Sequence, residues 1–406
     1  MLHFNRNGSI NAFKLLKISG VLVLSTLLGT VFFNSLASAQ QANGDDDGDG
    51  LLNSWEINGY DANGDGTIDV DLPALGANYQ RKDVFVEIDW MQGAGCNQKP
   101  STEAISRIVT SFAQAPLTNP DGSTGITLHV DYGQGGGLTG GNALSCNSAL
   151  QWPSGFQTLK AANFDPARQP IFHYNIWGIQ YDAGSGVTTS SGIAELPGDD
   201  FLVSLGAFPG GNGTVDQQAG TFMHEMGHNY GLRHGGGDNV NYKPNHLSVM
   251  SYSFQLTGVI LNGATGSFDY QRFGIDSLNE RNLSENQGLN AGTGLAAYGT
   301  VWFCAPLQSQ RTTTNADAAI DWNCSGQIAD GVQASINRDL LRTTLQETPN
   351  QWASLIFDGG AIGSEAAGRR SVRENFQLFP ARETVIEDLS APELLDIERR
   401  IREALP

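Results

Sequence analysis

The stretch FMHEMGHNYGLRH, Phe222 to His234, holds three of the chain's seven histidines and one glutamate. No proline interrupts Asp216 to Tyr230, Asp216 can cap a helix start, and Gly231 can end the helix in the left-handed conformation. His224 and His228 then share one helical face about 6 Å apart along the axis, a spacing that suits two ligands of one metal ion. Glu225 stands beside the first ligand and angles away from it, able to reach a water without binding the ion. The turn at Gly231 lets His234 bring a third nitrogen. Three neutral imidazoles with an open fourth position describe a catalytic zinc rather than a closed structural one. Zinc lowers the pKa of a water toward about 7, and Glu225 can take its proton as the water attacks a carbonyl. The chemistry expected is metal-assisted hydrolysis.

The elements that must position these side chains can be read on either side. DVFVEIDW (Asp83 to Trp90) alternates like a strand, STEAISRIVTSFAQA (Ser101 to Ala115) has helical apolar spacing, and ITLHVDYG (Ile126 to Gly133) returns to strand. IFHYNIWGIQY and DFLVSLGAF supply two more strands, the second leading directly into the histidine segment. Helices packed on a mixed sheet, an α+β fold of mixed α/β layers, follow from this order. LSAPELLDIERRIREAL is an amphipathic helix with a capping box from Ser390 and Glu393.

HEMGHNYGLRH resembles, at every fixed position, the extended zinc motif of the metzincin metalloendopeptidases, His-Glu-x-x-His-x-x-Gly-x-x-His. LSVMSYSF is similar to that family's methionine-containing turn beneath the metal, with Met250 as the methionine and Tyr252 where astacins and serralysins carry a tyrosine. The resemblance covers Arg81 to Tyr270 and implies His224, His228 and His234 as zinc ligands, Glu225 as general base, Tyr252 as a further catalytic residue and Met250 as a structural one. It also implies a mixed twisted sheet, an active-site helix and a Met-turn. A peptide substrate would add in extended form along DFLVSLG as the edge strand. Gly235 follows the third histidine where the better-known branches each have a characteristic residue, so the subfamily stays open.

A second metal chemistry precedes this region. In DDDGDGLLNSWE, Asp45, Asp47 and Asp49 fall at positions 1, 3 and 5 of an EF-hand-type loop, Gly50 at 6, Leu51 at the backbone-carbonyl position 7 and Glu56 at 12. A hard cation wants six to eight oxygens, so calcium is expected here as a structural ion. DANGDGTIDVDL repeats the pattern with Asp61, Asn63 and Asp65, but Leu72 at position 12 leaves closure to Asp69, Asp71 or another residue. The run from Asp321, DWNCSGQIAD, reads as a turn. His129 and His173 sit within strand patterns and are expected to be packed. Trp302, Trp322 and Trp352 are expected to build core.

Ahead of these loops, Arg6, Lys14 and Lys17, an apolar run from Ile18 to Phe33 and the small residues Ala37 to Ala39 read as a cleaved signal peptide. The expected product is secreted, or periplasmic, and carries no membrane segment after cleavage. Cys96, Cys146, Cys304 and Cys324 are then an even set in an oxidising compartment, and Cys96 with Cys146 and Cys304 with Cys324 are the pairings that close the shorter loops. A formal charge of −19 over 406 residues makes nucleic acid a poor partner. The expected organisation is a signal peptide over 1–39, an EF-hand-like segment over 40–80, a zinc metalloprotease domain over 81–275 and a C-terminal extension over 276–406. A secreted peptidase acting on protein or peptide is the leading reading. A calcium-binding surface or adhesion module with a protease-like fold is its rival.

Overall fold

The computed structural model describes residues 44–289, 294–363, 383–384 and 388–405. The expected signal peptide lies outside the described residues. The elements that frame the histidine segment are, in chain order, α1 (Asn53–Asn58), β1 (Asp83–Gly93), α2 (Thr102–Ala113), β2 (Thr127–Asp131), β3 (Phe172–Gly178), β4 (Gly192–Leu196), β5 (Asp200–Ser204), α3 (Val215–Asn229), β6 (Glu383–Thr384) and α4 (Ala391–Ala404).

β1 is the middle of a mixed sheet. It pairs in parallel with β2 through Phe85 and His129 and with β3 through Glu87 and Tyr174, and β3 pairs in parallel with β5 through Tyr174 and Asp200. β3 and β5 are buried throughout, as internal parallel strands covered on both faces are. The sheet then reverses. β4 runs antiparallel to β5, with Ile193 facing Leu202, and β6 runs antiparallel along the outer side of β4. The expectation that DFLVSLG forms the edge is therefore corrected: its strand, β5, has partners on both sides, and β4 is the strand beyond it. SSGIAEL, with its opening serines and glycine, has too little alternation to announce a strand from sequence.

α2 starts at Ser101, whose hydroxyl accepts the Ala104 N–H at 3.1 Å, and turns Ile105, Ile108 and Phe112 into the core. The start of α3 also departs from expectation. Thr214, not Asp216, is the cap: its hydroxyl accepts the Gln217 N–H at 3.3 Å, and the Gln217 side chain accepts the Thr214 N–H at 2.9 Å. Gly213, at φ 69°, lets the chain enter the helix at that point. Asp216 is left free to pair with Arg107 of α2 and, at 2.7 Å, with Arg402 of α4. Gly231, at φ 83°, ends the helix as its sequence implies.

One apolar cluster on the α3 side of the sheet runs from Val84 to Ile401 and includes Trp302, Trp322 and Trp352. A second, on the opposite face, joins Leu51 and Leu72 to Phe85, Phe156, Phe172 and Tyr174. Disulfides join Cys96 to Cys146 and Cys304 to Cys324. No helix among the described residues is long and apolar enough to cross a membrane.

α3 is pressed onto the segment that follows Met250. A Cβ at Gly220 would lie 1.8 Å from the Gln255 carbonyl oxygen and 3.0 Å from the Phe268 ring. An Ala for Gly change inside a helix ordinarily stabilises by about 1 kcal/mol. Gly220→Ala is expected to do the opposite, losing about 1–3 kcal/mol through overpacking against backbone. Urea unfolding checks this, and a stabilised variant would mean that the helix does not lie on the Gln255 backbone.

Candidate metal centre

His224, His228 and His234 meet under the sheet edge, all but fully buried. Each ring is oriented from its Nδ1 side: His224 to the Val249 carbonyl at 2.8 Å, His228 to the Leu232 carbonyl at 2.8 Å, and His234 to the Tyr252 hydroxyl at 3.2 Å. The left-handed turn at Gly231 places the Leu232 carbonyl one turn past His228. The Nε2 atoms are thereby turned toward one another, those of His228 and His234 only 3.1 Å apart. Burial first, then the two neighbouring imidazoles, hold His228 well below its ordinary pKa, which keeps it a neutral donor. Three convergent imidazole nitrogens, two of the rings backed by carbonyls and the third by a tyrosine hydroxyl, are a donor set that fits zinc. Met250 packs beneath the helix, its sulfur 2.4 Å from where a Cβ on Gly227 would stand. His246, from just before that turn, holds the His234 carbonyl at 2.8 Å.

Two acids face this cluster. Glu225 is fully buried, and burial first, then the charge of Asp388 and a hydrogen bond between the two acids, push it well above the usual carboxylate range. It lies against β4 at Gly192, where a Cβ would come within 2.5 Å of Oε1, so a side chain there would displace it. Asp388 was not foreseen. Its Oδ1 lies 3.2 Å from His224 Nε2, 3.3 Å from His234 Nε2 and 3.2 Å from the Tyr252 hydroxyl, completing a buried group of one aspartate and three histidines. Burial alone would raise Asp388, but the facing imidazoles outweigh it and hold the carboxyl well below its usual range. The fourth direction, open by sequence, thus faces a carboxylate. The only sequence signal is an acid just before the Ser390 cap, and such acids are common.

The Asp45 loop gathers a second set of donors. Asp45, Asp47 and Asp49 form one convergent triad, and Asp49, Glu56 and Asp83 another. Asp45 Oδ1 and Oδ2 accept the Gly48 and Gly50 N–H groups at 2.7 and 2.9 Å, curling the loop around its acids. Glu56, on α1, is buried with both oxygens partnerless, and one Asp47 oxygen is too. Burial first, and the other acids next, push Asp47 up to about 7 and Glu56 up to about 10, so the cluster is short of positive charge. Leu51 is buried at its place in the loop. Asp83, at the start of β1, was missed because it belongs to another element.

In the Asp61 loop, Asp61, Asn63 and Asp65 turn their oxygens to Gly64, Gly66, Asp65 and Thr67 N–H groups of the loop itself. Of the candidates for closure, Asp69 folds back onto the loop and accepts the Ala62 N–H at 2.7 Å, Asp71 caps the next helix at Ala74, and Leu72 is in the core. No convergent triad of acids forms there among the described residues. The Asp321 loop is a turn, its carboxylate accepting from Ser325 and Gly326.

No protein-family profile and no curated protein matches this chain. Among solved structures, archaemetzincin from Methanopyrus kandleri is similar over 41% of this chain and 81% of that one, at 12% identity and a TM-score of 0.26, a likeness too slight to carry an argument.

The C-terminal end of α3 is tied to the sheet by Asn229, which donates to the Glu195 and Asp200 carbonyls at 3.1 and 3.0 Å and meets His173 Nδ1 at 3.2 Å. His129, the other strand histidine, stacks on Phe85 and pairs with Asp83. Burial pushes His173 down to about 4. A histidine depressed by folding takes up its proton in the unfolded chain first, so its contribution is present above about pH 6.5 and is lost as pH falls toward 4. The loss is on the order of 3 kcal/mol at one pKa unit per 1.36 kcal/mol. His173→Gln is expected to flatten the acid limb of the stability curve between those pH values. An unchanged pH dependence in urea titrations would remove His173 from it.

Proposed function

We propose that this chain is a zinc-dependent metalloendopeptidase of the metzincin type, exported and stabilised by calcium. The observation that supports it best is a fully buried glutamate on the same helix as two of three imidazoles whose Nε2 atoms converge. Next to a Lewis acid such a glutamate has a catalytic use. Zinc, when bound by His224, His228 and His234, would polarise the scissile carbonyl and make water acidic. Glu225 would accept the proton of the attacking water and deliver it to the leaving amine. The Tyr252 hydroxyl, beside His234, is placed to donate to a developing oxyanion. The outer side of β4 offers main-chain groups to an extended peptide, which would lie across the metal next to Glu225.

The calcium-binding surface or adhesion module with a protease-like fold is the rival, and Asp388, which would close the metal site, favours a fold without activity. The two readings separate on a peptide library with and without a zinc chelator. A peptidase makes chelator-sensitive cuts and the rival makes none.

Calcium would be held by Asp45, Asp47, Asp49, Glu56, the Leu51 carbonyl and Asp83, all oxygen donors. Its site touches none of the zinc residues, so the two ions should act separately.

Glu225→Gln is expected to keep the parent's zinc content while hydrolysis falls by about 100-fold or more. Metal analysis beside a peptide assay checks this, and near-parent turnover would remove Glu225 from the reaction. In the parent, calcium at a hundred times its dissociation constant should add roughly 3 kcal/mol of stability. Glu56→Ala should abolish the calcium-dependent rise in melting temperature, and a rise equal to the parent's would show that the loop holds no calcium.

A further inference from the structure

The outer side of β4, where the peptidase reading places substrate, already carries a strand of this chain. Glu383 faces Leu196 and Thr384 faces Glu195, and beyond Asp388 an isolated bridge pairs Ser390 with Ser190. Both pairings are antiparallel, so the described residues Glu383, Thr384 and Ser390 run in one direction against the segment 190–196, as an added peptide strand would.

Asp388 is built into the metal centre between them. Its Oδ2 accepts from the Ser191 hydroxyl at 3.2 Å and the Gln255 side-chain amide at 3.2 Å, which leaves Oδ1 facing His224 and His234. Directly after it, α4 is docked. The Ala391 N–H reaches the Thr189 carbonyl at 3.0 Å, Gln217 of α3 donates to Glu398 at 2.7 Å, and Leu394, Ile397 and Ile401 are buried. The helix thus fixes where the carboxylate falls.

We propose that Asp388 is a displaceable fourth ligand of the metal, and that it and its flanking backbone make the C-terminus of this chain an intramolecular competitor of peptide substrate. The proposal rests on the peptidase reading. A permanent ligand would leave Glu225 buried beside the metal without a water to act on. The Ser191 and Tyr252 hydroxyls hold Asp388 at 3.2 Å, long for O–H···O hydrogen bonds. A carboxylate and a peptide carbonyl with its attacking water need the same coordination position, so one must leave for the other to bind.

The test compares full-length parent, Asp388→Asn, Asp388→Ala and a Leu394→Asp, Ile397→Asp double variant that undocks α4 but keeps the carboxylate. Each is loaded with zinc for a quenched-fluorescence peptide assay and with cobalt for its visible absorption spectrum. All three variants are expected to raise kcat/KM by about 10-fold or more, because a tethered ligand acts at roughly millimolar effective concentration. Asp388→Ala should also alter the cobalt spectrum relative to the parent, as loss of a carboxylate ligand does. The double variant carries the test if Asp388→Ala does not fold. A parent as active as its variants, with one cobalt spectrum for all, overturns the proposal and leaves the peptidase reading standing. Cobalt-loaded proteins whose spectra differ, but none of which cleaves peptide when zinc-loaded, overturn the peptidase reading and the competition with it.

Discussion

Three imidazole nitrogens cannot be aimed at one point inside a protein without help, because their lone pairs repel and the rings would rather turn to other partners. The chain fixes each ring from behind. The Val249 carbonyl belongs to the segment at Met250, the Leu232 carbonyl exists only because Gly231 reverses the helix, and His246 and Tyr252 position His234 from either side. The close seat of Gly220 on Gln255 and of Gly227 on Met250 brings that segment under the helix. Remove any of these and an Nε2 turns away. The sheet, the helix and the turn can be understood as a frame for this single convergence.

Much of that frame is local and so was legible. The i, i+4 histidines, the terminating glycine and the alternating strand from Asp83 each follow from residues within a few positions of one another. What was not legible joins distant parts of the chain. Thr214 takes the cap from Asp216 because Gly213 turns the chain early, and Asp216 is then claimed by two arginines from other helices. Asp83 reaches the acidic loop from the first strand, and Asp388 reaches the histidines from the far end of the sequence. Neither has a spacing that could betray it. The edge strand was misplaced for a related reason: Phe201, Leu202 and Val203 mark DFLVS as a strand, but GIAEL, with Gly192 and Ala194 in place of bulky strand formers, leaves a weaker signal than the strand it covers.

The acidic loop and the histidine cluster illustrate opposite ways of burying charge. In the loop, acids are crowded together around partnerless oxygens, and burial with their mutual repulsion pushes Asp47 and Glu56 toward the protonated form. At the histidines, burial depresses His228 and His234, while His224 and His234 hold the facing Asp388 carboxyl well below its usual range. A cation entering the first site meets only oxygen donors, whereas one entering the second finds nitrogen donors with an acid already beside them. Hard and borderline ions would thus be sorted by ligand type rather than by pocket size.

The two disulfides span 50 and 20 residues, the first enclosing α2 and β2. Closing loops of that length removes conformational freedom from the unfolded chain equivalent to about 4 and about 3 kcal/mol in the chain-entropy picture. Their sum is comparable to the roughly 5–15 kcal/mol by which a typical domain is stable at all. Reduction would therefore leave the non-covalent contacts in place and still shift the balance toward the unfolded ensemble, which couples the stability of this fold to the redox state of its surroundings.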